Sequence, residues 1–198
     1  MKLKKTALLI ILIFNSISVY ATGQIADTFL FKGEKYSLIG KTYGAFTHPK
    51  QFGMTPTRLT TACYRGFYAT YDLTDTNLFL RDLTLREKNQ KYLPINGVEP
   101  DTESKKSQAS YHNLKVEVKF TGKIRLAKDL IRGLRIHMGY QKPTAFKTVL
   151  DITLKDGKVV DIKNRSKEME AKRGEFKKRF ELGKQSIEES FSLDMKLE

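Results

Sequence analysis

The chain has 198 residues, a formal net charge of +14, a single cysteine and three histidines. One thiol excludes an internal disulfide, and three isolated histidines leave no spacing for structural zinc, so no metal or other cofactor is expected. The cationic surplus draws such a chain towards anionic envelope surfaces, but the signs mix through EVKFTGKIRLAKDLIRGLR and NRSKEMEAKRGEFKKRFELGK, and no nucleic-acid-binding motif accompanies the charge.

Residues 1–21, MKLKKTALLIILIFNSISVYA, combine a basic start, a short apolar run from Ala7 to Phe14 and a small-residue ending at Ala21. This is the three-part pattern of a cleaved export signal, and the apolar run is shorter than the roughly 20 residues a spanning helix needs. The expectation is a periplasmic or secreted bacterial protein whose mature part, 22–198, forms one β-rich domain.

The mature part opens with DTFLFKGEKYSLIG, where Phe29, Phe31, Tyr36 and Leu38 alternate with polar neighbours. Glycine in first position of a Gly33-Glu34 loop predicts a type II′ hairpin that sets Phe31 against Tyr36 and Phe29 against Leu38. Residues 41–60 are rich in Gly, Pro and Thr and read as a loop or lid. Two apolar runs, 62–73 and 78–86, flank the Thr74–Asn77 turn, and pairing Leu73 with Leu78 and Tyr71 with Leu80 makes them a hairpin. The polar stretch 88–113 follows, and within it 99–110 reads as a disordered insertion.

Leu114, Val116, Val118 and Phe120 alternate with charged residues, predicting a half-buried strand that Ile124 and Leu126 continue past Thr121-Gly122. Beyond a turn at 129–133, Leu134, Ile136, Met138 and Tyr140 alternate again and predict another strand. For TVLDITLKDGKVVDIKN, a three-residue loop, Lys155 to Gly157, opposes Ile152 to Val160 and Leu150 to Ile162 and so unites the apolar set. A helix is predicted from an N-cap at Ser166 to Leu182, with Met169, Phe176 and Phe180 on one stripe and Gly183 beyond its end. The last residues, SFSLDMKLE, alternate as a closing strand that pairs with the first. About eight to ten strands and one late helix give a mainly β class, an antiparallel barrel or sandwich, with a lipocalin-like barrel preferred.

Chemistry is sparse. Cys63 and Arg65, two apart on one predicted strand face, raise the question of a thiol activated by a cation. Phe67, Ala69, Tyr71 and Leu73 share that face and make it apolar, so a buried inert cysteine is the simpler reading. His137 falls beside Arg135 on a polar face. Arg65 on an apolar face needs a partner, because a buried guanidinium does not stay unpaired. Phosphate loops, nucleophile elbows and dinucleotide fingerprints are absent from the sequence.

Four stretches, GQIADTFLFKGEKYSLIG, CYRGFYATYDLTDTNLFLRDL, FTGKIRL and RIHMGY, together resemble a group of uncharacterised bacterial proteins. Those share an opening GQI-D, a Cys- or Trp-Arg-Gly-Tyr strand, a Phe-Thr-Gly strand and a His-Met-Gly-Tyr strand, and the resemblance covers most of residues 23–163. It brings no activity with it, but implies that Arg65, Gly66, His137, Gly139 and Tyr140 belong to a shared pattern. The expected function is non-enzymatic binding of an apolar or amphipathic ligand, or of a partner protein, in a barrel interior reached through its mouth. Arg65, Cys63, Phe67, Tyr71, His137 and Tyr140 are the candidate binding residues. Two other readings are an enzyme, hydrolase-like, using Cys63 or His137 near Arg65, and an envelope or immunity-type protein acting through its basic surface.

Overall fold

A computed structural model describes residues 22–180 apart from Tyr43, Ala45 and 104–106, with side chains up to Arg173. The proposed export signal and the alternating stretch after residue 189 lie outside the described residues, as do the side chains of Phe176 and Phe180. The strands are β1 (Thr28–Phe31), β2 (Glu34–Lys41), β3 (Phe67–Leu73), β4 (Leu78–Leu85), β5 (Ala109–Tyr111), β6 (Val116–Glu117), β7 (Gly122–Leu130), β8 (Phe146–Lys155) and β9 (Lys158–Asn164), followed by helix α1 (Ser166–Phe180). The protein is thus mainly β with one C-terminal helix. Among the described residues nine strands form a single sheet in the order β5-β4-β3-β1-β2-β7-β8-β9, with β6 also on β4.

The period-two pattern explains the core. Phe29, Phe31, Tyr36, Leu38, Phe67, Ala69, Tyr71, Leu73, Ile124, Leu126, Ile152 and Leu154 all point to the concave side and merge into one buried cluster. Burial of apolar area of this kind is the dominant favourable term, about 25 cal/mol per Å². On the opposite face of β2, β7 and β8, a smaller cluster of Ile39, Ala127, Phe146 and Val149 is covered by Met169 of α1. The helix is pinned there by polar bonds: Arg173 donates to the carbonyls of Thr144 at 3.1 Å and Phe146 at 2.8 Å. Ser166 is the first helical residue and not a cap, since its hydroxyl accepts the Val149 N–H at 3.1 Å.

Two hairpin registers differ from expectation for one shared reason. In β1–β2 the pairs are Phe31 with Glu34 and Phe29 with Tyr36, so the loop is Lys32-Gly33. In β8–β9 the loop is Asp156-Gly157, because Lys155 pairs with Lys158. Both loops have two consecutive positive φ values, 50° and 78° in the first and 51° and 80° in the second. That is the type I′ geometry, whose twist matches the flanking strands and which puts glycine second, not first. The first hairpin moves by two residues, so the apolar face survives. In the second, Thr153 pairs with Asp161 and Leu154 with Val159. Val160 is left over as a bulge, which returns Ile162 to a position opposite Ile152. The β3–β4 hairpin has the expected pairs, Leu73 with Leu78 and Tyr71 with Leu80.

Other segments are less regular than their alternation predicts. Residues 114–120 keep their buried apolar face, but only Val116 and Glu117 pair in a ladder, against β4. Residues 134–140 form no strand. The side-chain amide of Gln141 there accepts the Ile136 N–H at 3.0 Å and donates to the Ile136 carbonyl at 2.7 Å, taking the place of a neighbouring strand. Ser110, from the end of the expected insertion, exchanges two backbone hydrogen bonds with Asp101, and Ala109 and Ser110 belong to β5. Strand β1 runs parallel to β3 and antiparallel to β2, so the sheet is mixed and β1 has no free edge for a closing strand. The sheet curls until the Gly157 N–H reaches the Phe120 carbonyl at 2.9 Å, yet β9 sits at its end, so it does not close into a barrel.

Candidate functional site

Strand β3 begins at Phe67, so Cys63 and Arg65 do not share a strand face. They lie in the turns before it, which end at Gly66 with φ +83°. A side chain at this position would be strained by that φ and would overlap the Thr57 backbone, whose carbonyl carbon lies 2.7 Å from the place of a Cβ. This turn is what aims Arg65 away from the strand direction.

Its partner is Asp27, which leads into β1 and is 3 % exposed. Arg65 Nη1 donates to Asp27 Oδ2 at 3.0 Å, and Nη2 donates to Oδ1 in the second arm of a bidentate pair. Asp27 Oδ1 also accepts the Ala69 N–H at 2.8 Å. Arg65 Nε donates to the Phe67 carbonyl at 2.7 Å, and the guanidinium lies 4.8 Å from the centre of the Phe67 ring. Cys63 is buried beside it, with Sγ 3.2 Å from the same carbonyl.

Around the charged pair, electrostatics favour the neutral forms of the thiol and the phenols. Burial pushes the Cys63 thiol up, against the opposing pull of the Arg65 charge. Burial, then the Asp27 charge, raises Tyr71 far above the ordinary phenol value. Burial also raises Tyr140, while the Arg65 cation opposes it. A protonated, buried thiol is a poor nucleophile. Every arm of the ion pair is taken, so the geometry is that of a clamp joining the start of β1 to the turn before β3.

The structure therefore brings Arg65, Cys63, Phe67, Tyr71 and Tyr140 together, and leaves His137 exposed on the 131–142 loop, outside these bonds. Asp27 was not among the residues singled out. Two signals in the sequence pointed to it: the need of Arg65 for an acid, which by itself names no position, and the acid that closes the GQI-D opening, which is Asp27. The concave interior is filled. Phe46, from the 41–60 loop, packs 5.6 Å from Phe29, 5.4 Å from Tyr71 and 4.5 Å from Phe120 between ring centres, at T-shaped or tilted angles. The expected ligand space between these rings is occupied by that loop.

Open space lies instead on the convex side, in a cleft of about 890 Å³ at the end of β1, β3 and β4. Leu30 faces Asp72 across β1–β3, and Asp72 faces Phe79 across β3–β4, so the three form one row across the sheet. Leu30 and Phe79 are half-buried and supply an apolar floor. Arg81 reaches Asp72 at 3.4 Å and offsets its charge. Lys32, Lys35 and Lys115 stand exposed around the rim. The β1–β2 turn places Lys32, strand β2 carries Lys35 and the β5–β6 connection places Lys115; Lys32 and Lys115 both have positive φ, 50° and 53°.

Among the described residues no three His, Cys, Asp or Glu side chains converge to hold a metal ion. No described helix is long and apolar enough to cross a membrane. Comparison of the chain with protein-family models, with curated proteins and with solved structures gives no match.

Proposed function

We propose that this is an exported bacterial protein that binds, without chemical conversion, an amphipathic anion, an alkyl chain carrying a carboxylate or phosphate head. The observation that carries this reading is the convex cleft, where an apolar floor of Leu30 and Phe79 is rimmed by the exposed cations Lys32, Lys35 and Lys115, with Arg81 offsetting the Asp72 carboxylate. Its volume, about 890 Å³, lies within the usual 300–1,000 Å³ of small-molecule sites. Burying an alkyl chain on the floor is worth about 0.8 kcal/mol per methylene, and the lysines supply attraction for the head. The protein would act as lipocalin-like proteins are used, as a holder, but on the outside of its curled sheet. The basic, apolar and small-residue order of residues 1–21 supports export, and a mature chain beginning at Thr22 is the expected mass-spectrometric finding.

Titration of the mature protein with dodecyl phosphate, dodecanoate and the uncharged dodecanol tests the site. Dodecyl phosphate and dodecanoate are expected to bind and dodecanol to bind at least tenfold more weakly, a difference of about 1.4 kcal/mol. Lys32→Glu with Lys115→Glu, and separately Phe79→Asp, should each weaken the anions about tenfold or more while the thermal midpoint stays near that of the parent. Equal affinity in all three proteins would overturn the reading.

A further inference from the structure

Among the described residues β9 has the longest unpaired strand edge. At the other side of the sheet β5 has three residues, and Ser110 there is already bonded on its outer side to Asp101. Strand β9 has seven residues, all exposed except Val159, and helix α1 packs over β2, β7 and β8 without covering it. The Arg165 N–H donates to the Val149 carbonyl at 2.8 Å, so Leu150 and Asn164 are a pair whose own N–H and C=O groups turn away from each other. By alternation the backbone groups of Ile162, opposite Ile152, also point outward, while those of Asp161 and Lys163 bond inward to β8. Such an edge is a template for another strand.

We propose that this edge joins the same edge of a second copy of the chain, antiparallel about a two-fold axis at Ile162. The side chains select both the partner and the register. With the axis at Ile162, the outward N–H and C=O groups of the two Ile162 residues bond each other, Asp161 faces Lys163 of the second copy, and Lys163 faces Asp161 of the second copy. Asp161 and Lys163 are exposed and form no ion pair with another described residue. On the convex face the row Arg125, Asp151, Lys163, which already alternates in sign, gains Asp161 of the second copy as its next member. On the concave face the row Ile124, Ile152, Ile162 meets its own image, and Ile162, with 39 % of its surface exposed, packs on its counterpart. Moving the axis one residue either way opposes Asp161 to Asp161 or Lys163 to Lys163, and like charges directly opposite are destabilising.

The turn end of β9 is taken up, since Gly157 donates to the Phe120 carbonyl at 2.9 Å, and the bulge at Val160 bends the strand beyond it. The pairing therefore spans residues 160–164 of each copy. Two such edges make an interface of the small class, below about 1,200 Å² in total, so the expected dimer is weak and reversible, with micromolar affinity. The net charge of +14 opposes the approach of two copies, but this repulsion is screened beyond about 8 Å at physiological salt, whereas the crossed ion pairs act at contact.

Sedimentation of the mature chain from micromolar to millimolar concentration at physiological salt tests the pairing. The parent is expected to dimerise reversibly. Asp161→Lys sets lysines against each other and Lys163→Asp sets aspartates against each other, so each variant alone should dimerise at least about tenfold more weakly. An equimolar mixture of the two restores both attractions and should form a mixed dimer. A parent that stays monomeric throughout, variants that dimerise like the parent, or a mixture that does not associate would each refute the proposal. A second measurement covers the event that the charge variants do not fold. The two-fold brings the Cα atoms of the two Ile162 residues to about 5.5 Å, within reach of a disulfide, and leaves those of the two Val160 residues about 13 Å apart. In a Cys63→Ala background, Ile162→Cys should therefore oxidise to a covalent dimer at least about tenfold faster than Val160→Cys, although Val160 is the more exposed at 57 %. Equal rates, or rates that follow exposure, would mean random collision and overturn the inference.

Discussion

At the scale of single residues, the Asp27–Arg65 pair decides most. With Asp27 at 3 % exposure, its removal leaves a guanidinium and the Ala69 N–H without their acceptor. Asp27→Ala should cost about 3 kcal/mol, measured as a loss in urea stability, the lower end for a broken buried pair because Arg65 keeps 28 % of its side-chain surface. The double change Asp27→Leu with Arg65→Met should cost less than Asp27→Ala, since no charge is then left unpaired. Glu87 makes a separate, pH-dependent contribution. Burial would raise its carboxyl, but the N–H groups of Lys91 and Asn89, at 3.0 and 2.5 Å, outweigh burial and hold it below its ordinary value of 4.5. A lowered folded pKa means stability that is present above pH 4.5 and lost as pH falls through the folded value. Glu87→Gln should therefore be less stable than the parent at pH 7 and approach it at pH 3, as read from urea midpoints.

Among the elements, the two type I′ turns carry the register of their hairpins. At Gly157, φ is +80° and a Cβ would stand 2.5 Å from the Val118 carbonyl oxygen, the contact through which the β8–β9 turn meets the 118–120 segment. Gly157→Ala should destabilise the fold by roughly 2 kcal/mol or more, the sum of left-handed strain and a displaced contact. Gly33 shares the turn type with φ +78° but has open space around it. Gly33→Ala should cost about 1 kcal/mol, so the ratio of the two thermal shifts separates strain from contact. The extra residue at Val160 belongs to the same scale: a strand that gains one residue in a bulge swaps the faces of everything beyond it.

Taken as a whole, the molecule is one sheet curled around its aromatic and aliphatic side chains, braced on its back by a helix. Arg125, Asp151, Arg165 and Glu168 form a chain of ion pairs across β7, β8 and the start of α1, with Arg125 bidentate to Asp151 at 2.5 and 2.7 Å. The 41–60 loop folds inward and Phe46 fills the concave side, while in the convex cleft apolar and cationic groups face solvent together.

The mainly β class, the late helix, the β3–β4 register and the buried face of nearly every strand were legible in the sequence alone, because period-two burial writes itself into neighbouring residues. Phe29, Phe31, Tyr36 and Leu38 kept their face even when their pairing moved by two, since such a slip preserves the side. The sequence also marked Arg65 as a charge in need of a partner. What only the tertiary structure decided were contacts between distant positions and the choice between near-equal turns. Asp27 as that partner, β1 in the middle of the sheet beside β3, Gln141 standing in for a strand at Ile136 and Phe46 filling the interior all depend on where far segments meet. Local alternation is blind to such meetings, because burial and hydrogen bonding constrain which face a residue shows but not which remote group satisfies it.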